Sequence, residues 1–128
     1  MKYADIISQA HALARPIVTS EDCCAATVGA VIISSSGKSY TGVCVDFECG
    51  MGFCAEHSAV AEMLKSHESK IAVVVAVNDR GEVLAPCGRC REMVWQLDAA
   101  NKDALVVLGT DLALPLRELL PYREAGPK

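Results

Sequence analysis

The sequence predicts one α/β domain in which helices pack on the faces of a mixed β-sheet. Three observations carry this expectation: segments of helical period alternate with short apolar runs, the chain has 128 residues, and 52% of them are hydrophobic. Alternating helices and strands bury their apolar faces best as stacked layers. A chain of this length holds one ordinary domain and is too short for two. No repeat, linker or low-complexity stretch interrupts it, so residues 1–128 read as a single unit.

Ile6, Ile7, Ala10, Leu13 and Ala14 share one face of a helix that Pro16 closes. Residues 27–33 and 39–45 are strand-like runs on either side of Ser34-Ser35-Ser36-Gly37-Lys38, which reads as a β-hairpin. Residues 46–53, with Gly50 and Gly52, read as a loop. From Cys54 to Lys65 the apolar positions Ala55, Ala59, Val60, Met63 and Leu64 recur at helical spacing. Residues 71–77 are apolar throughout, as in a strand covered on both faces. Asn78-Asp79-Arg80-Gly81 is a turn, and Pro86 is expected to open a helix whose inner face is Met93, Val94 and Leu97. Residues 104–108 form another buried strand ended by Gly109, followed by a weak fifth strand at 112–114 and a helical turn at 116–120.

Composition narrows the function. The net charge is −4, and the 12 Lys and Arg are scattered among 16 acids. A nucleic-acid polymer needs a clustered basic footprint, so it is a poor candidate partner. Met1-Lys2-Tyr3-Ala4-Asp5 places charges where a secretory signal has its apolar core. The apolar run 71–77 falls far below the ~20 residues of a membrane helix. The expectation is a cytoplasmic protein whose seven cysteines, an odd number, are reduced and serve metal binding or burial. Its high apolar content and mean hydropathy of +0.27 also suit a homo-oligomer.

The segments that carry chemistry are Cys54-Ala55-Glu56 and Pro86-Cys87-Gly88-Arg89-Cys90. Alone, the C-x-x-C of the second fits a structural zinc, a redox dithiol or chance. The first adds a third thiol at a helix start, with a carboxylate two residues on. Three thiolates leave one position of a tetrahedral zinc open, as a catalytic zinc requires, and zinc there lowers the pKa of a bound water. Glu56 is placed to reach that water without being a ligand. Zn²⁺ with three thiolates is formally −1, and two helix N-termini, each about half a positive charge, offset it. His57, Arg89 and Arg91 can add hydrogen bonds to sulfur.

This pair of segments resembles the zinc nucleoside deaminases, which join an H/C-x-E segment to a downstream P-C-x-x-C. More narrowly it is similar to the cytidine deaminase and blasticidin S deaminase branch. Val28-Gly29-Ala30, Gly42-Val43 and Glu118-Leu119-Leu120-Pro121 resemble flanking segments of that branch. The resemblance implies a three-layer fold with a mixed five-stranded sheet between helices. It further implies zinc, water, hydrolysis of an exocyclic amine on a pyrimidine nucleoside, and commonly a homotetramer. Cys54, Cys87 and Cys90 would hold the metal and Glu56 would move protons, with Ala55 and Pro86 offering backbone groups to the base edge.

Two positions depart from the branch. Where its nucleoside-specific members carry an Asn and a Glu that grip ribose, this chain has Cys44 and Asp46, and Ala26 stands where some carry a base-stacking aromatic. Cytidine, deoxycytidine, a modified nucleoside and blasticidin S therefore remain candidate substrates. Outside the enzyme class, Cys44, Cys49 or His57 could close a structural zinc site as a fourth ligand. Cys23, Cys24 and Cys49 otherwise read as buried or incidental, and Glu48, like Asp46, reads either as a substrate contact or as an ordinary acid of a polar loop.

Overall fold

The computed structural model describes residues 1–123. In chain order the elements are α1 (Ala4–Leu13), β1 (Ile17–Ser20), β2 (Cys23–Ser34), β3 (Ser39–Phe47), α2 (Ala55–Lys65), β4 (Ile71–Asn78), β5 (Val83–Leu84), α3 (Gly88–Leu97), β6 (Leu105–Gly109) and β7 (Leu112–Pro115). Short 3₁₀ turns cover Glu48–Gly50, Ala99–Asp103 and Leu116–Leu119. The five expected strands lie in the order β3-β2-β4-β6-β7, with β4 and β6 parallel and the other pairs antiparallel.

Among the described residues the sheet has seven strands and not five, because β1 pairs with residues 23–25 of β2 and β5 pairs with β4. Both additions are faint in sequence. All four residues of β1 are exposed, so it has no inside–outside alternation, and β5 is two residues long. The helix expected to begin at Pro86 begins at Gly88, with Cys87 as its N-cap. The expected loop is shorter too, since β3 runs to Phe47 and Phe53 pairs back onto Val45 through both its N–H and its carbonyl.

Strand alternation sorts the core into two layers. Ala30, Ile32, Val74, Ala76 and Val106 point to one face and pack under α2 and α3 with Ala59, Met63 and Val94. Val31, Val75, Val77 and Val107 point to the other and pack under α1 around Ala10. Both helices lie close to the sheet. A Cβ on Gly29 would stand 2.3 Å from the Ala10 carbonyl oxygen, and one on Gly42 would stand 2.4 Å from the Ala59 nitrogen. Asn101, fully buried, ties the far end of α3 to β4: its Nδ2 donates to the Val94 and Ser69 carbonyls, and its Oδ1 accepts the Ile71 N–H. Trp95, the chain's one tryptophan, sits on α3 beside the cations of Lys102 and Arg123, 6.0 and 5.5 Å from its ring centre.

The β2–β3 ladder breaks once. Ala25 pairs with Val45 and Gly29 with Val43, so Ala26, Thr27 and Val28 stand opposite Cys44 alone. Ala26 is turned into the left-handed region, at φ 64°. Such bulges re-aim side chains and occur often beside active sites.

The close approach of β3 to α2 sets the position of everything at the head of that helix. Gly42→Ala is expected to destabilise the fold by about 1–3 kcal/mol, because the new methyl meets α2 backbone that cannot rotate away. Denaturant unfolding of the purified variant measures this directly.

Candidate metal and catalytic centre

α2 and α3 point their N-termini at the same place beside β3 and β4. Cys54 caps α2 with ψ 157° and Cys87 caps α3 with ψ 167°, both extended residues at the point where the helix begins. Cys90, one turn into α3, is fully buried. The Cys54 and Cys87 sulfurs are 3.6 Å apart, and those of Cys87 and Cys90 are 3.5 Å apart. A tetrahedral Zn–S bond of about 2.3 Å implies a sulfur–sulfur edge of about 3.8 Å, so these two edges are close to what that ion requires. The Nδ1 of His57 lies 3.6 Å from the Cys90 sulfur, and the ligand atoms of Cys54, His57 and Cys90 fall within 4.8 Å of one another.

The electrostatics of the three thiols differ. Burial and the neighbouring Cys87 thiol raise the Cys54 pKa. Burial works to raise that of Cys87 too, but the backbone N–H groups of Cys90 and Arg89 and the two neighbouring thiols bring it down overall. Burial and the nearby Glu56 carboxylate push the Cys90 thiol far up. Donors at the start of α3 therefore favour Cys87 as thiolate, whereas Cys90 needs a cation to ionise. Burial also holds the His57 pKa down, helped by the charge of Arg89, so its imidazole is disposed to be neutral.

Glu56 is the acid at the head of α2, 5% exposed, and burial raises its pKa. It lines a cleft of about 490 Å³ together with Cys54, Cys87 and Ala55. That volume lies within the usual range for small-ligand sites. Cys44, buried, and Asp46 line the cleft from β3, and Arg89 lines it from α3. All the expected site residues but four line this cleft; one of the four, Cys90, is buried just off its wall against Cys87. Pro86 lies instead on a small cavity behind Glu56, and the cleft wall beside it is Leu84 and Ala85. Arg91 reaches no sulfur: its guanidinium donates to the Pro86 carbonyl at 2.7 Å and the Leu119 carbonyl at 3.1 Å, tying the C-x-x-C turn to the C-terminal turn. His57 sits against Cys90 and is not on the main cleft wall.

Sequence reasoning missed Thr27, which lines the cleft with its hydroxyl 3.1 Å from the Cys44 sulfur. It also missed the approach of Cys24, whose thiol donates to Asp46 across the β2–β3 pair at 3.8 Å. The Thr27 signal was the bulge, which leaves no mark on a run of small and β-branched residues. Cys49 is exposed. All seven cysteines are free thiols.

Three thiols thus converge beside a buried carboxylate at the heads of two helices on a mixed sheet. Residues 2–107 match the family "Cytidine and deoxycytidylate deaminase zinc-binding region", and the chain belongs to that family. It is 32% identical over 70 residues to a cytidine deaminase of Mycobacterium tuberculosis, covering 54% of this chain and 53% of that protein. It is 34% identical over 67 residues to a probable cytidine deaminase of Dictyostelium discoideum, covering 51% of this chain and 46% of that one. The chain thus spans about half the length of these curated relatives. In structure it is similar to a mutant cytidine deaminase from Mycobacterium tuberculosis, with a TM-score of 0.77, 25% identity, and coverage of 94% of this chain and 93% of that one. The cytidine deaminase from Burkholderia pseudomallei gives a TM-score of 0.73 at 25% identity, over 94% and 98% of the two chains.

Two outcomes follow from this geometry. Cys87→Ala is expected to lower zinc content well below that of the unmodified chain and to lower Tm, because metal binding is coupled to folding; metal analysis with thermal unfolding checks both. Burial favours the protonated form of Glu56, so its contribution to stability is whole below the ordinary carboxyl range and is lost as pH rises through its own, higher pKa. In metal-free protein, Glu56→Gln is expected to flatten that fall in a series of Tm against pH.

Proposed function

We propose that this protein is a zinc-dependent hydrolytic deaminase that converts cytidine and deoxycytidine, or modified cytosine nucleosides, to the uridine product with release of ammonia. The observation that carries the reading is the buried carboxylate of Glu56 beside three converging thiols, two of which line a cleft of about 490 Å³. Cys54, Cys87 and Cys90 would hold the zinc, which supplies a Lewis acid that activates water near neutral pH. The short thiol–thiol edges favour this set over one closed by His57, which is left to hydrogen-bond the Cys90 sulfur.

Glu56 does the proton work. Its raised pKa suits a group that must gain and lose a proton in each turnover. It takes a proton from the attacking water and delivers it to the ring nitrogen, then takes the proton of the newly added hydroxyl and passes it to the amine, which leaves as ammonia while the carbonyl forms. The base edge meets the wall formed by Ala55 and Ala85, while Cys44 and Asp46 face the sugar. The thiol of Cys44 is a poor partner for a sugar hydroxyl. That favours weak sugar discrimination, and it keeps blasticidin S as the second reading.

The same proposal extends to the assembly and the compartment. Val18 at 79%, Met51 at 67% and Ile17 at 55% exposure suit burial against further copies in a homotetramer, which light scattering would size. Seven free cysteines suit the reducing cytoplasm.

Glu56→Gln preserves shape and removes the proton shuttle. Zinc content is expected to hold while turnover falls by about 10²–10⁴-fold. An ammonia-release assay over cytidine, deoxycytidine, cytosine and blasticidin S, run on both proteins, tests the whole reading. Both natural nucleosides are expected to react, and rejection of both with fast turnover of blasticidin S would select the second reading.

A further inference from the structure

Apart from Glu56, two polar side chains of the cleft wall have only sulfur for a side-chain hydrogen-bond partner among the described residues. The Thr27 hydroxyl meets the Cys44 sulfur, and the Asp46 carboxylate meets the Cys24 thiol. Sulfur is a weak donor and a weak acceptor, so exchanging it for an oxygen partner loses little. Elsewhere in the molecule the exposed carboxylates of Glu82, Glu92 and Asp103 engage arginines. Asp46 lines the cleft with no cation of the described residues hydrogen-bonded to it.

Thr27 is held there by the backbone. The bulge sets Ala26, Thr27 and Val28 against Cys44 alone, and Ala26 sits in a left-handed conformation that a residue with a Cβ adopts at a cost. The Thr27 carbonyl accepts the Asp79 N–H at 3.0 Å, which fixes the segment from the β4 side. Val28 rejoins the sheet at once by pairing with Asn78. The strain therefore serves one local result: a β-branched hydroxyl residue is turned to the face of Cys44 and Asp46. Strained backbone that persists in a well-packed sheet marks sites where aim matters.

We propose that Thr27 is a substrate-binding residue that, with Asp46, grips hydroxyl groups of a sugar attached to the pyrimidine. This rests on the deaminase reading above and adds to it one residue, Thr27, on the sugar side of the cleft. A hydroxyl side chain both donates and accepts, and a carboxylate accepts, so the pair complements neighbouring hydroxyls on one ring. It takes up at one position earlier in the fold the role that the Cys44 thiol is ill suited to fill.

The test uses the full zinc-loaded chain with Thr27→Val, which keeps the shape and loses the hydroxyl, Thr27→Ala as a second hydroxyl-free variant, and Thr27→Ser. Calorimetric binding of uridine is expected to weaken by about two- to tenfold in Thr27→Val and Thr27→Ala and to recover in Thr27→Ser. The ratio of kcat/KM for cytidine to that for 1-methylcytosine is expected to fall by a similar factor, chiefly through the cytidine KM. A purely structural Thr27 would lower Tm and leave that ratio in place, which overturns the proposal. So does uridine affinity that matches the unmodified chain in Thr27→Val, a Thr27→Ser that behaves as Thr27→Val, or no uridine binding to the unmodified chain. If the unmodified chain binds uridine but releases no ammonia from any cytosine compound, the deaminase reading fails, and the uridine affinities still judge Thr27.

Discussion

The structure depends on three thiols being brought within a few ångströms of one another at the heads of two helices. Left to themselves, three thiolates and a buried carboxylate repel, and each thiol near Glu56 feels that charge. Two helix N-termini are directed there, and their N–H groups help to stabilise the negative charge. A divalent cation completes the balance. The sheet, the glycine contacts and the helix orientations can all be understood as the frame that holds this charge cluster together.

That frame is built from small parts. With aromatics at 5% of the chain, the two core layers are filled by valine, alanine, isoleucine and methionine. Small side chains let α1 and α2 lie close against the sheet, at Gly29 and Gly42. Close approach leaves little freedom for either helix to shift, so Cys54 and Glu56 inherit the rigidity of β3. On the other side, Arg91 joins the Cys87 turn to the Leu119 carbonyl, and Asn101 fixes the opposite end of α3. The metal centre is thus clamped by polar contacts on one helix and by packing on the other.

Much of this was legible in the sequence, and the remainder was hidden for physical reasons. The two layers and the helices that carry Cys54, Cys87 and Cys90 followed from apolar period, because burial imposes that period on every core element. The convergence of those thiols followed from residue chemistry at helix starts. Strands β1 and β5 were not legible, since an exposed edge strand and a two-residue strand owe their pairing to a neighbour and not to their own pattern. Pro86 and Arg91 were given contacts that their residue types allow, but their actual partners depend on where the chain returns at Leu119. The bulge at Ala26–Thr27–Val28 was invisible because alanine is not the residue that a left-handed turn usually selects.

Trp95 gives the molecule a built-in optical reporter. The chain has one tryptophan, and it lies on the same helix as Cys90, flanked by the charged groups of Lys102 and Arg123. Indole emission responds to nearby charge and to solvent, so its colour and intensity follow how α3 is seated. Cys87 and Cys90 lie at the head of that helix, so a change there acts on the same short rod that carries the fluorophore. A reseating of α3 is therefore expected to register in the emission of a residue that lies off the cleft wall.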